Sequence, residues 1–171
     1  MNVDGLVFLQ EPTENAAEAT VTDVLFYYQQ EALDIFDGDT SKLVEYVEKS
    51  IELNNEAFRL QDIQIRRRIA AILPLPETVN YSLDWEYEDR MKAISSLALS
   101  AQSKSYDASY TVLVQGYNPE VDSVVGRAEV GGNSGYIVPW LDNLDFGHRT
   151  IMHELGHMDG LHHDDALLET N

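Results

Sequence analysis

The chain has 171 residues, with 30 acidic against 11 basic side chains, five histidines and no cysteine, for a formal charge of −19. The lack of cysteine excludes a disulfide framework, thiolate zinc ligands and thiol nucleophiles, and the negative charge argues against nucleic acid and anionic membrane surfaces as partners. A hydrophobic content of 44% is that of a folded globular protein that can bury a core.

The composition divides the chain into two parts. Residues 1–20 are polar around a short apolar stretch at 5–9, predicted as a strand, and we interpret them as an N-terminal extension or linker. Residues 21–171 are patterned throughout and are interpreted as one domain. The start carries no positive charge, and no apolar run approaches the ~20 residues of a membrane helix. We therefore expect no membrane insertion, and a location either in the cytosol or, as we favour, outside the cytoplasm after removal of a leader.

The patterning of the main part alternates between strands and helices. Strands are predicted where β-branched and aromatic residues cluster or alternate with polar ones, and helices where an apolar stripe recurs every three to four residues. The predicted elements are strand 21–28, helix 40–58, strand 63–73, helix 84–103, and strands 110–114, 124–130 and 136–140. This order predicts an α/β (α+β) fold with a mixed, twisted five-stranded sheet and two long helices packed on it.

Three consecutive arginines, Arg66 to Arg68, lie in the second predicted strand. Alternation along a strand sends them to opposite faces of the sheet. We therefore interpret the arginines as surface charge that balances the acids, rather than as an anion site.

All five histidines lie in a stretch of sixteen residues that contains H-E-x-x-H-x-x-G-x-x-H, from His153 to His163. On a helix, residues i and i+4 are about 40° apart around the axis and roughly 6 Å apart along it, so His153 and His157 can bind one ion. Glu154 can then act as the general base on a water bound to that ion. Gly160 allows a left-handed turn that ends the helix and brings His163 to the same ion.

The ligand set indicates the metal and the chemistry. Three imidazoles without a thiolate suit one Zn²⁺ per chain and leave a fourth position open, which is typical of catalytic sites. The predicted activity is hydrolysis of peptide bonds by attack of a metal-bound water. Glu154 would take the proton of that water and later deliver it to the leaving amine.

Several neighbours of the motif have weaker assignments. His148 is interpreted as a surface residue, or as one that supports a ligand, rather than as a ligand itself. His162 competes with His163 for the third ligand position, although the spacing favours His163. Asp164 either orients a ligand or is a solvated acid, and Met158 is expected in the core.

The pattern from His153 to Asp164 resembles the metzincin clan of zinc endopeptidases. Asp164 after the third histidine is the residue seen in the adamalysin or reprolysin branch, and the order of elements from 21 to 164 also agrees with the clan. The segment from Asp23 to Tyr28 is similar to the opening strand of bacterial reprolysin-like peptidases, including the peptidyl-Asp type. The resemblance implies a metzincin-like fold with a C-terminal active-site helix, and the same roles for the histidines, Glu154 and Gly160.

The resemblance also implies how a substrate binds. An antiparallel edge strand at 124–130 would form the upper rim of the cleft, with Arg127, Ala128, Glu129 and Val130 beside the substrate. Its free backbone groups would pair with an extended polypeptide. The oligomeric state stays open.

The chain departs from the clan in one respect. Metzincins carry a methionine in a tight turn downstream of the third histidine, and the eight residues after His163 contain none. We therefore expect either that the C-terminal part of the domain is truncated here or that the chain is a minimal or degenerate member.

Two alternatives to an enzyme follow. The missing methionine motivates a non-catalytic, zinc-dependent peptide-binding module or pseudopeptidase, whereas the retained Glu154 favours an enzyme. A third hypothesis is an acidic, halophilic scaffold with an incidental metal site.

Overall fold

The computed structural model describes residues 19–163, and its core is a five-stranded mixed sheet. The strands are β1 (Thr20–Tyr28), β2 (Ile65–Pro74), β3 (Tyr110–Val114), β4 (Gly126–Ala128) and β5 (Ser134–Ile137). Their spatial order is β2-β1-β3-β5-β4, with parallel neighbours throughout except for the antiparallel pair of β4 and β5. The predicted fold class, with its mixed five-stranded sheet, is confirmed. The strand predicted at 5–9 lies outside the described residues.

Five helices accompany these strands in the described part of the chain. They are α1 (Gln30–Ile35), α2 (Thr40–Leu60), α3 (Tyr87–Ala98), α4 (Ala101–Lys104) and α5 (Leu144–Met158). The helices α2, α3 and α5 correspond to the two long helices and the C-terminal helix predicted from the sequence. Within residues 19–163, none of these helices is long and apolar enough to span a membrane.

One helix begins with a side-chain cap, and another helix prediction needs correction. The N-cap of α2 is Asp39, whose carboxylate accepts a hydrogen bond from the Ser41 N–H at 2.9 Å. The helix predicted at 84–103 is interrupted, because the Ser100 hydroxyl accepts a hydrogen bond from the Ser103 N–H at 3.2 Å and so caps a separate turn. The six residues of α1 are too few to show a periodic pattern, which is why the sequence did not predict that helix.

The sheet separates two apolar layers. On one face, which we call the α5 face, α2 and α5 pack against Val24 and Val112. On the opposite face, the α3 face, α3 packs against Leu25 and Leu113. Because successive strand residues point to opposite faces, β1 and β3 serve two cores at once and are nearly continuous apolar runs.

The two edges of the sheet differ. Along β2, the Asn55 side chain of α2 covers the outward backbone of Arg67: it accepts from the Arg67 N–H at 2.7 Å and donates to the Arg67 carbonyl at 2.9 Å. At the other edge, no strand of the described residues lies beyond β4. Within residues 19–163, the outer edge of β4 is therefore unpaired, whereas the Arg67 backbone of β2 is already bonded.

The edge strand β4 is shorter than the predicted strand 124–130. Glu129 and Val130 lie in a turn, in which the Gly132 N–H donates to the Glu129 carbonyl at 2.9 Å. The prediction that Glu129 and Val130 belong to the edge strand is wrong for this reason. The strand β5 is likewise displaced from the predicted range 136–140.

The burial of Arg67 contradicts the interpretation of the three arginines as surface charge. Its side chain is fully buried on the α5 face, whereas Arg68 points to the opposite face and donates to Asp23 at 2.7 Å. The predicted alternation is present, but α2 and the end of α5 cover one face of β2.

Candidate metal centre

Helix α5 carries the first half of the histidine motif. Ile151, Leu155 and Met158 bury one side of the helix in the α5 face, as predicted for Met158. His153 and His157 lie one turn apart on a more exposed side.

The chain reverses directly after α5. Gly160 has a φ of 96°, a conformation that residues with a side chain rarely adopt. Its N–H donates to the His157 carbonyl at 2.9 Å, and the Leu161 N–H donates to the Gly156 carbonyl at 3.0 Å. These two bonds form a Schellman motif. The reversal carries His163 back to the exposed side of the helix.

Three imidazole nitrogens converge at this reversal. The Nε2 atom of His157 lies 3.0 Å from that of His153 and 2.9 Å from that of His163. The Nε2 atoms of His153 and His163 are 3.2 Å apart. Tetrahedral zinc with Zn–N bonds of 2.0–2.1 Å needs its ligand nitrogens about 3.3 Å apart. The donor set therefore fits a zinc ion after shifts of a few tenths of an ångström.

Two features favour the neutral, metal-binding form of the imidazoles. The Nδ1 atom of His157 lies 2.7 Å from the Leu161 carbonyl, so Nδ1–H donates to that oxygen and Nε2 keeps its lone pair. Partial burial, together with the neighbouring His157 and His163, lowers the pKa of His153. Because neutral imidazole is the form that binds metal, both features favour metal binding near neutral pH.

Glu154 follows His153 on α5 but is only 5% exposed. Burial raises the pKa of its carboxyl group to about 7, and the positive charge of Arg127 opposes part of that rise. In the described part of the chain, its Oε2 atom has no hydrogen-bond partner. A buried carboxyl group with a free oxygen and a pKa near neutrality is suited to take up and release a proton.

The backbone of β4 passes directly over this carboxyl group. A Cβ atom on Gly126 would lie 2.7 Å from Glu154 Oε1 and 2.8 Å from Thr150 Cγ2. Glycine is therefore the residue that leaves room for Glu154 beneath the strand. Sequence analysis missed this relation, because nothing near Gly126 in the sequence indicates that α5 lies beside it.

One hydrogen bond next to β4 determines which of its backbone groups face outward. The Val138 N–H donates to the Val125 carbonyl at 2.7 Å, and antiparallel neighbours alternate between bonded and non-bonded pairs. Arg127 is therefore in a bonded position toward β5. The backbone N–H and C=O groups of Gly126 and Ala128 consequently point away from the sheet.

Other predicted site residues lie away from the three rings. The Nδ1 atom of His148 is 2.7 Å from Ser50 Oγ, which places His148 at the contact between α5 and α2 instead of beside a ligand. His162 is exposed, and His163 is the residue that joins the other two rings. The guanidinium of Arg127 lies 4.0 Å from an aromatic ring centroid of α3, on the α3 face. Asp164 lies outside the described residues.

The sequence analysis also missed an ion pair at the C-terminal end of α5. Asp159, at the C-cap of α5, accepts hydrogen bonds from Arg67 Nη2 and, at 2.8 Å, from the Tyr110 hydroxyl. A carboxylate is unfavourable at the negative end of a helix dipole, so Asp159 alone indicated that a cation should lie nearby. The partner could not be identified, because β2 and β3 are distant from Asp159 along the chain.

Comparison with known proteins is consistent with this geometry. A family model described as Reprolysin_5, metallo-peptidase family M12, matches residues 18–169. No curated protein matches the chain.

Solved structures show a similar fold. Archaemetzincin from Methanopyrus kandleri matches with a TM-score of 0.50 and 15% identity, over 88% of this chain and 78% of that chain. A chain in a structure of a chaperone–substrate complex matches with a TM-score of 0.62 and 17% identity, over 86% of this chain. Our chain spans only 27% of that second protein. At these identities the likeness concerns the fold, which is metzincin-like.

Proposed function

Because the chain belongs to metallopeptidase family M12, we propose that it is a zinc-dependent endopeptidase. His153, His157 and His163 are the proposed ligands of one zinc ion, and Glu154 is the proposed general base. The observation that carries the proposal is the convergence of three Nε2 atoms within 3.2 Å of one another. Three imidazoles this close would repel one another if each were protonated. Their arrangement therefore favours neutral rings that share one metal ion.

The chemistry follows from the position of Glu154. When bound, the ion supplies a Lewis acid for the peptide carbonyl and lowers the pKa of water in the site. Glu154 accepts a proton from the attacking water and returns that proton to the leaving amine. Burial raises the pKa of this carboxyl group to about 7 in the metal-free chain, and a bound cation would lower it, so Glu154 would be ionised and able to take a proton near neutral pH.

The proposed substrate is a polypeptide bound in an extended conformation along β4. The outward backbone groups of Gly126 and Ala128 support this proposal, because they offer hydrogen bonds that do not depend on the substrate's side chains. The contact between Gly126 and the Glu154 carboxyl group links a peptide at this edge to the general base. The absence of a side chain at Gly126 would let the peptide approach closely.

For the cellular location, we keep the prediction of an extracytoplasmic protein. A chain without cysteine has no thiol that an oxidising compartment would alter, which is compatible with secretion. Fractionation of the source cells tests this prediction.

The test of function combines metal content with hydrolysis. The purified chain should contain about one zinc per molecule by elemental analysis, and should cleave an unfolded protein substrate. Glu154→Gln keeps the size of the side chain but removes the base, so we expect it to retain zinc and to lose at least about 100-fold in rate. Glu45→Gln, the same change at an exposed acid of α2, is the matched control and should keep both properties.

Two outcomes would change the conclusion. A wild-type chain that binds no zinc after metal reconstitution would contradict the proposal. Zinc binding without any hydrolysis would favour the non-catalytic peptide-binding module. In that case, the zinc-loaded chain should still retain an extended peptide.

A further inference from the structure

Within residues 19–163, the Asp159 side chain ties the turn that carries His163 to the sheet, and the Gly131 N–H donates to the His157 carbonyl at 2.8 Å nearby. Asp159 accepts a hydrogen bond from the Tyr110 hydroxyl through Oδ1, at 2.8 Å, and pairs with the Arg67 guanidinium through Oδ2. We call Arg67, Tyr110 and Asp159 the clasp. The Asp159 side chain is 17% exposed and the Arg67 side chain 0%. The pair is therefore largely shielded from solvent, where an ion pair holds its geometry better than at the surface.

Arg67 is held in place by several neighbours. Its Nη1 atom donates to the Thr22 hydroxyl at 2.8 Å. Its guanidinium carbon lies 5.2 Å from the ring centroid of Tyr110 and 5.5 Å from that of Phe58. Asn55 fixes its backbone to α2. A planar guanidinium held in this way can hold a carboxylate in one position.

The third histidine depends on this turn more than the first two do. Helix α5 fixes His153 and His157, whereas His163 lies in exposed, irregular backbone beyond the Schellman motif. Asp159 opens that turn, at a position where a carboxylate is unfavourable because of the helix dipole. An acid at this position, compensated by a buried arginine, therefore fixes the start of the path to His163.

We propose that the clasp is a positioning device for the metal centre. By holding Asp159 against the sheet, it sets the course of the turn and so brings His163 within reach of the ion. This inference rests on the proposed zinc site. Asp159 is neither a proposed ligand nor a proposed contact of the substrate, and it acts through His163.

The test compares two buried ion pairs. Among residues 19–163, the matched pair is Arg90–Asp122 on the α3 face, with an Nη1 to Oδ1 distance of 2.6 Å and side chains at most 2% exposed. Competition with a chromophoric chelator measures the zinc Kd, and the absorption spectrum of the Co²⁺-substituted protein reports ligand geometry. Asp159→Asn should raise the Kd about tenfold and shift the cobalt spectrum. Asp122→Asn should lower Tm but keep the wild-type Kd and spectrum.

A milder variant covers the case in which Asp159→Asn does not fold. That substitution leaves Arg67 buried without its ionic partner, which is strongly destabilising. Tyr110→Phe keeps the aromatic ring and the ion pair and removes only the hydrogen bond to Asp159. It should raise the zinc Kd about threefold, as expected for one lost hydrogen bond that positions the turn.

The outcomes separate the inference from the function on which it rests. A wild-type zinc Kd in Tyr110→Phe, or in a folded Asp159→Asn variant, would contradict the proposed positioning role of the clasp. An equal loss of affinity in Asp122→Asn would also overturn it, since the effect would then reflect general stability. A wild type without zinc affinity would overturn the proposed function, and the inference with it.

Discussion

In residues 19–163, each face of the sheet buries an arginine–aspartate pair, but the surroundings of the two pairs differ. On the α3 face, Arg90 donates to Asp122 at 2.6 Å, to the Trp85 carbonyl at 2.8 Å and to the Leu83 carbonyl, so Nε and both Nη atoms have partners. On the α5 face, the Nε atom of Arg67 has no partner in the described part of the chain.

Incompletely paired polar groups lie on both faces, since the buried Nε atom of Arg127 on the α3 face also has no partner within residues 19–163. On the α5 face, Glu154 buries an oxygen without a partner in the same range, and the three imidazole rings face one another. Unpaired buried groups cost stability, and natural proteins keep such departures mainly at functional sites. The two ion pairs therefore differ: Arg90 has a partner at every nitrogen and joins Asp122 to the loop at Leu83 and Trp85, whereas Arg67 keeps one unpaired nitrogen beside the turn that leads to His163.

His157→Ala should show most strongly that zinc affinity depends on the α5 face and not on the overall stability of the fold. This change removes a proposed metal ligand, so the loss of zinc affinity should exceed the 10–100-fold typical of an outer partner. The Tm of the metal-free protein should change little, because this side chain is only partly buried. Chelator competition and calorimetry in the absence of metal measure the two effects. A loss of zinc affinity below tenfold would contradict the assignment of His157.

Ile94→Ala tests the opposite face. Ile94 is 1% exposed in the α3 layer, and removing a buried isoleucine side chain costs about 2–5 kcal/mol of unfolding free energy. Zinc affinity and hydrolysis per folded molecule should stay at the wild-type level. Urea denaturation measures the stability loss. Weaker zinc binding in the folded variant would mean that the two faces are coupled.

Glu154 should make the stability of the metal-free protein depend on pH. Its pKa rises from 4.5 to about 7 on folding, so the folded chain holds a proton that the unfolded chain releases. This contribution is complete below pH 4.5 and is lost as the pH rises through 7. The difference corresponds to at most about 3 kcal/mol.

Glu154→Gln should remove this dependence. The variant should then be more stable than the wild type at pH 8, and close to it at pH 4. Chemical denaturation in the presence of a chelator, at a series of pH values, measures the difference. Parallel profiles for the two proteins would show that burial of Glu154 does not set its protonation.

Gly126→Ala should have the smallest of these effects. The added Cβ would lie 2.7 Å from Glu154 Oε1, so either the carboxyl group or β4 must shift. We expect roughly a tenfold loss of kcat, since misplacing a catalytic group by a fraction of an ångström is costly. Zinc content should stay at the wild-type level. Full activity would show that the contact with β4 does not position Glu154.

The parts of the fold that could be predicted are those determined by local pattern. The strand at Tyr110–Val114 has the bounds predicted for it, because a short apolar run suits a strand buried on both faces. Helix geometry and a glycine turn are likewise local, and they are enough to anticipate that His153, His157 and His163 meet. Their roles as ligands stay predictions.

The parts that could not be predicted depend on contacts between distant segments. The burial of Glu154 comes from β4, and the burial of Arg67 comes from α2 and the end of α5. The turn that shortens β4 depends on the bond between Gly132 and Glu129, which the alternation of residues 124–130 does not reveal. Each of these features requires knowing which elements are neighbours in space.

The Asn55 cap on β2 has a consequence for self-association and turnover. A sheet with two open edges invites copies of the same chain to join edge to edge. Here Asn55 already bonds the outward backbone of Arg67 in β2, and β4 presents the outward backbone of two residues, so pairing between copies through β4 would gain few hydrogen bonds. The same limit would apply to the proposed substrate. After cleavage, a peptide held by β4 alone would keep few hydrogen bonds and could leave the site.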